Sequence, residues 1–293
     1  MKQGIITKGI GGFYYVACEG NLTYACRARG IFRKDQQKPL VGDLVRIDVL
    51  DETDMEGSIQ EILPRKNTLF RPEVANIDQA AVVFALREPD LSRILLDRFL
   101  LSMEVNNVPV IICFSKEDIA PAEDIAVLKK DYAACGYPVC FFSTVARTGL
   151  ENISRFLSGK VTALAGPSGV GKSSLLNYFC PGAEMETGQL SAKIKRGKNT
   201  TRHTELFQMD EHTWLFDTPG FGSFENRKME KEDLELYFPE FKPFLGKCRF
   251  PCCSHGKEPS CAVTKAVDEG LISKARYESF RVFYTELAAM KRY

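Results

Sequence analysis

The chain has 293 residues, 44% hydrophobic and 26% charged, with 39 Lys and Arg against 38 Asp and Glu. That composition excludes disordered, collagen-like and fibrous classes, and the length suits about two average domains. The longest apolar run, Ala80 to Leu86, falls far short of the roughly 20 residues that cross a bilayer. The start, Met1-Lys2-Gln3-Gly4-Ile5, lacks the apolar core of a signal peptide. These features predict a soluble, cytoplasmic protein with no membrane partner, a monomer by default.

Near-neutrality conceals segregation. Residues 1–46 carry eight Lys and Arg against three Asp and Glu, and residues 187–204 hold Lys193, Lys195, Arg196, Lys198 and Arg202 with no acid. From Phe241 onward ten basic residues oppose five acidic ones. Three basic segments in a neutral chain fit contact with a polyanion, although solvated surface charge explains each one equally well alone.

Residues 1–67 read as an all-β unit. Short β-rich runs at Phe13 to Cys18, Leu22 to Arg29, Leu44 to Leu50 and Ser58 to Leu63 alternate with turn signals such as Gly11-Gly12 and Gly42-Asp43. Four or five strands in that length suit a small barrel such as an OB-fold, which often binds nucleic acid. A purely structural barrel is the alternative.

Residues 68–230 change to alternating strand and helix. Apolar runs at Ala80 to Leu86, Val108 to Phe114, Pro138 to Phe142, Val161 to Ala165 and Thr213 to Phe216 have the character of buried parallel strands. Helical patterns at Leu91 to Val105, Ala122 to Cys135, Leu150 to Leu157 and Lys172 to Phe179 separate them, which predicts a doubly wound α/β domain. Residues 231–293 hold Cys248, Cys252, Cys253, Cys261 and His255 in a 14-residue window, then two helical patterns at Ala262 to Glu269 and Ser273 to Arg292. This tail is too short to own much of a core, so a metal staple would help it fold. The six remaining cysteines are scattered and read as small core residues.

Gly166-Pro167-Ser168-Gly169-Val170-Gly171-Lys172-Ser173 fits G-x-x-x-x-G-K-[ST] and lies between a strand pattern and a helix pattern, the context that motif requires. The glycines let backbone N–H groups converge on phosphate oxygens, Lys172 reaches the β- and γ-phosphates, and Ser173 ligates Mg²⁺. Expected nucleotide contacts are Gly166, Ser168, Gly169, Val170, Gly171, Lys172, Ser173 and Ser174. Asp217-Thr218-Pro219-Gly220 ends a later strand pattern, where Asp217 can hold Mg²⁺ through water and the Gly220 N–H can face the γ-phosphate. No base-reading [NT]-K-x-D follows Gly220. Upstream, Ser115-Lys116-Glu117-Asp118 ends one strand pattern and Ser143-Thr144 ends the next. Ser115, Lys116, Asp118 and Ser143 are therefore the expected base contacts, and they precede the phosphate loop. A parallel sheet tolerates such a rotation, because it can be cut at one connection and rejoined at nearby termini.

With its motifs in this order, the sequence resembles the circularly permuted GTPases that assist maturation of the small ribosomal subunit. The likeness covers essentially the whole chain, through Gly11-Gly12-Phe13-Tyr14, Pro39-Leu40-Val41-Gly42-Asp43, the rotated motifs, Asp217 to Phe221 and the cysteine cluster. It implies an OB-fold, a permuted GTPase domain and a zinc domain. It also implies GTP hydrolysis to GDP, stimulated by the small subunit and coupled to release, with ribosomal RNA as partner. The family spacing selects Cys248, Cys253, His255 and Cys261 as the ligands of one structural zinc ion and leaves Cys252 out. It places switch threonines for Mg²⁺ and the γ-phosphate at Thr200 or Thr201, with Thr201 taken as the magnesium and catalytic residue beside Lys172 and Gly220. The histidine expected just before them is Asn199 here, His203 reads as a loop residue, and Phe221 stands where many GTPases carry a water-positioning Gln. Slow intrinsic hydrolysis is therefore expected. Two alternatives stay open from sequence: a P-loop nucleotidase switch without a ribosomal partner, and an RNA-binding scaffold with a vestigial nucleotide site.

Overall fold

The computed structural model describes residues 1–28, 32, 38–70, 73–183, 204–217 and 229–290. They divide into two compact units, which the chain enters more than once.

The first unit comprises residues 1–81, 153–165 and the described part of 171–223. Its barrel is formed by β1 (Lys2–Ile10), β2 (Phe13–Cys18), β3 (Leu22–Ala28), β4 (Leu44–Asp51) and β5 (Glu56–Ile62). The strands follow the order β1-β2-β3-β5-β4, and a β1–β4 pairing closes the ring, so no edge is left to aggregate. Ile6, Val16, Tyr24, Cys26, Val45, Ile47 and Ile59 fill it. Strand β1 is absent from the sequence expectation. Gly4, Ile5 and Ile6 are buried in succession, so the strand shows no alternation, and a register shift follows between Ile6 and Lys8. A Cβ on Gly4 would lie 2.5 Å from Ala17 O, so only glycine fits there. The hairpin β6 (Thr68–Phe70) and β7 (Glu73–Ala75) follows, and Val41 forms a parallel bridge to its Val74. The Asp43 carboxylate accepts from Arg65 Nε at 2.7 Å and from Leu40 N–H at 2.8 Å, which anchors the Pro39 to Asp43 turn.

From β8 (Gln79–Ala85) the alternating pattern begins: α1 (Arg93–Val105), β9 (Val110–Ser115), α2 (Ala122–Ala133), β10 (Val139–Phe142), α3 (Leu150–Leu157), β11 (Val161–Ala165) and α4 (Lys172–Phe179). Then come β12 (Glu205–Asp210) and β13 (Thr213–Asp217). Within the first unit β11 pairs in parallel with β13, β13 pairs antiparallel with β12, and β12 pairs with barrel strand β1. Strand β12 was also missed, because only Leu206 in it is buried.

The second unit holds residues 82–152, 166–170 and the described part of 224–293. In it β9 and β10 pair in parallel, and β9 is buried throughout. The tail adds α5 (Ala262–Asp268) and α6 (Lys274–Ala289) after short 3₁₀ turns. Contrary to expectation it does own a core: Leu234, Phe238, Phe241, Val263, Ala266, Ile272, Phe280 and Phe283 pack together and onto Leu101 of α1. Beside this core the buried Arg276 donates through Nη1 to Asp97 Oδ1 at 2.7 Å and through Nε to Glu240 Oε1 at 2.7 Å, and Tyr132 Oη donates to Asp97 at 2.9 Å. One guanidinium thus compensates two carboxylates that burial would otherwise forbid. Arg276→Met should cost about 3 kcal/mol or more, since it strands both acids. A lowered midpoint in urea checks it.

Candidate nucleotide and metal sites

In the second unit, β9 ends at Ser115, whose buried hydroxyl donates to Val170 O at 2.6 Å. This bond joins the expected base-reading segment to the expected phosphate loop, and Ser115 therefore has a definite task although serine is not the usual residue there. The chain then turns through Lys116 in a left-handed conformation (φ 59°) into the single turn Glu117–Ile119. Lys116 Nζ donates to Glu88 O, and Thr148 Oγ1 donates to Glu117. Asp118 is exposed on that turn, its carboxylate open to a ligand. At the end of β10 the buried Ser143 accepts from Ala146 N–H at 3.0 Å and exchanges backbone bonds with Thr148. The first half of the phosphate loop belongs to this unit as well. Gly166 (φ 141°) passes so close to β8 that a Cβ would lie 2.1 Å from Val83 O, so the loop needs glycine there.

In the first unit, Gly171 (φ 95°) caps α4, which opens with Lys172, Ser173 and Ser174. They form the first turn of that helix, a setting whose N–H groups and dipole favour phosphate. Asp217 ends β13 in register with Leu164 of β11, the strand that feeds the phosphate loop. Ligands of open α/β sheets bind beyond the carboxyl ends of the strands, and Asp217 stands at such an end. Ser173 and Asp217 offer the hard oxygen donors that Mg²⁺ requires. Asn199, Thr200, Thr201, His203 and Thr218 to Phe221, including Gly220, lie outside the described residues.

Cys248, Cys253, His255 and Cys261 come together in the second unit, with their ligand atoms within 4.8 Å of one another. Cys248 Sγ lies 3.8 Å from Cys261 Sγ, and His255 Nδ1 lies 3.7 Å and 3.3 Å from those sulfurs. A tetrahedron with Zn–S of about 2.3 Å and Zn–N of about 2.0 Å has edges of about 3.8 Å and 3.5 Å, so the cluster is already of zinc-binding size. Cys252 is exposed and outside it. Burial pushes the Cys253 thiol up to about 12. For Cys261 the same burial is outweighed by the Thr264 N–H and by His255, which hold it down at about 7. A cation among these sulfurs would favour their thiolate forms.

His255 Nε2 is 2.5 Å from Glu235 Oε2. That partner fixes the proton on Nε2 and turns the Nδ1 lone pair toward the sulfurs. Tyr277 Oη donates to His255 O at 2.6 Å, and the Glu258 carboxylate accepts from the N–H groups of Ser254 and Gly256, so the loop is braced from α6 and from within. Sequence reasoning missed Glu235. It lies 20 residues before His255 in no motif, and only the folded tail brings it near.

Comparison with known proteins decides the family. The model described as RsgA GTPase matches residues 62–227, and that described as RsgA N-terminal domain matches residues 3–59. The chain belongs to the RsgA GTPase family. It is 48% identical to the small ribosomal subunit biogenesis GTPase RsgA of Agathobacter rectalis over 99% of both chains, and 46% identical to that of Alkaliphilus metalliredigens over 100% of both. Among solved structures it is similar to YloQ, a circularly permuted GTPase, with 39% identity and a TM-score of 0.80 over 100% of this chain and 97% of that one. YjeQ from Thermotoga maritima matches at 33% identity and a TM-score of 0.81, covering 99% of each. The protein is accordingly a GTP hydrolase of permuted topology with a barrel at its amino-terminal end.

Purified protein with Cys252→Ser should keep one zinc per chain by elemental analysis, whereas Cys253→Ser and His255→Ala should fall well below one. Equal loss from Cys252→Ser would reassign the ligand.

Proposed function

We propose that the protein binds GTP and Mg²⁺ at the phosphate loop and acts as a maturation factor of the small ribosomal subunit, which stimulates hydrolysis and then releases it. The observation that carries the reading is the Ser115–Val170 hydrogen bond, which links a base-reading segment to a phosphate-binding one in the order a permuted GTPase requires. In this reading Asp118 accepts from the guanine edge, Lys116 and Ser143 support the base, and Gly166 to Ser174 cradle the phosphates. Lys172 offsets β,γ-phosphate charge as it develops. Ser173, Asp217 and Thr201 would hold Mg²⁺, which would supply positive charge toward the phosphates, and the Gly220 N–H is assigned to the γ-phosphate. Cys248, Cys253, His255 and Cys261 hold one zinc ion that staples the tail.

The partner comes from the names of the relatives and agrees with the basic segments, whose contacts to RNA would be dominated by phosphate. A division into a barrel at 1–67, a GTPase domain at 68–230 and a zinc domain at 231–293 belongs to the same proposal, as do a monomeric state and a cytoplasmic location. Among the described residues no helix is long and apolar enough to cross a membrane.

Hydrolysis of GTP and ATP, each with and without purified small subunits at matched salt, tests the reading. GTP turnover alone should rise strongly with subunits, and Lys172→Ala should lower the stimulated rate by about 100-fold or more. No stimulation, or equal use of ATP, would overturn it.

A further inference from the structure

Barrel strand β1 does not stop at the barrel. Beyond a register shift between Ile6 and Lys8 it reaches β12, where Lys8 is the register partner of Glu205. Glu205 is in turn the register partner of Asp217 on β13. Directly opposed residues share one face of a sheet, so Lys8, Glu205 and Asp217 form a single row across three strands. Lys8 Nζ lies 2.8 Å from Glu205 Oε2. The bulge in β1 is what re-aims Lys8 into that row. At Ile6, one step earlier, β1 also exchanges backbone bonds with Gly42 and Asp43. Gly42 is pressed against β13, since a Cβ there would lie 2.9 Å from Phe216 Cζ and 2.2 Å from Ala75 O. The barrel thus meets the sheet at both residues flanking the end of β13: at Phe216 directly, and at Asp217 through Glu205.

Two carboxylates directly opposite each other repel, and a second acid beside a magnesium-holding aspartate competes for the cation. From this row we infer that Lys8 is a positioning residue for Mg²⁺: by holding the Glu205 carboxylate in an ion pair, it keeps Glu205 from competing with Asp217 for the cation. The inference rests on the assignment of Asp217 to Mg²⁺ in the proposed function. It makes a barrel side chain part of the electrostatics of the nucleotide site.

The test has two readouts: the Mg²⁺ concentration that half-saturates binding of a fluorescent GDP analogue, and kcat and KM for subunit-stimulated GTP hydrolysis. Lys8→Met should free Glu205 to draw the cation, lowering half-saturating Mg²⁺ about threefold and kcat about tenfold while KM for GTP holds within about twofold. Glu205→Gln should resemble the unaltered protein in both, and the double variant Lys8→Met/Glu205→Gln should recover both, because no unpaired carboxylate remains. Lys8→Arg should retain both. An ion pair that merely stabilises the fold would make Glu205→Gln as harmful as Lys8→Met and the double variant no better. That pattern, or an unchanged Lys8→Met, would overturn the inference. Asp217→Asn, measured alongside, separates the underlying assignment: if it leaves the Mg²⁺ dependence of analogue binding unchanged, the role of Asp217 falls, whatever Lys8 does.

Discussion

A buried hydroxyl ties together two loops that the order of this chain has set 55 residues apart. Ser115 Oγ donates to Val170 O across the top of the second unit. Neither group can be left unpaired in that interior without a cost of about 1–3 kcal/mol. The bond therefore holds the exit of β9 in one place relative to the phosphate loop. Permutation leaves this untouched, since hydrogen bonding is blind to which loop comes first. What permutation changes is connectivity: β13, with Asp217 at its end, is followed by the tail instead of by another strand of the sheet.

The tail is held by two kinds of interaction that burial makes strong. Phe238, Phe241, Phe280 and Phe283 build an aromatic core on α1, and the Arg276 guanidinium lies over the Phe238 ring while it spans Asp97 and Glu240. Next to that core the Cys₃His cluster closes the loop from 248 to 261. His255 packs edge-on against Phe241, with centroids 6.0 Å apart, so the metal loop and the apolar core share a wall. A metal ion held by that cluster would reinforce the hydrophobic core beside it and would not replace it.

Much of this was legible in the sequence, for physical reasons that differ from place to place. The strands of the α/β region showed as continuous apolar runs because both faces are covered; β9 is buried at every residue. The phosphate loop was legible because its glycines are forced: Gly166 has no room for a Cβ. The cysteine cluster was legible from spacing, and Cys252 was set aside by a resemblance that its exposed position agrees with. Strand β1 was not legible, because Gly4, Ile5 and Ile6 are buried in succession without alternation, and neither was β12, which buries only Leu206. Glu235, Arg276 and Lys8 could not be found either. Each acts through a partner remote in sequence, namely His255, Asp97 and Glu205, and no local pattern announces a pairing that only the fold creates.

The claim on which the account turns is that guanine is read at Asp118, upstream of the phosphate loop. It is tested most directly by the relative affinities of Asp118→Asn for GTP and xanthosine triphosphate. Exchanging the carboxylate for an amide reverses one hydrogen-bond direction, and xanthine presents the complementary acceptor in place of the guanine amino group. The account predicts that the variant loses GTP binding by about 100-fold and gains xanthosine triphosphate binding, while its fold and zinc content stay as they are. Retention of the original preference for GTP would contradict it and move the base reader elsewhere in the chain.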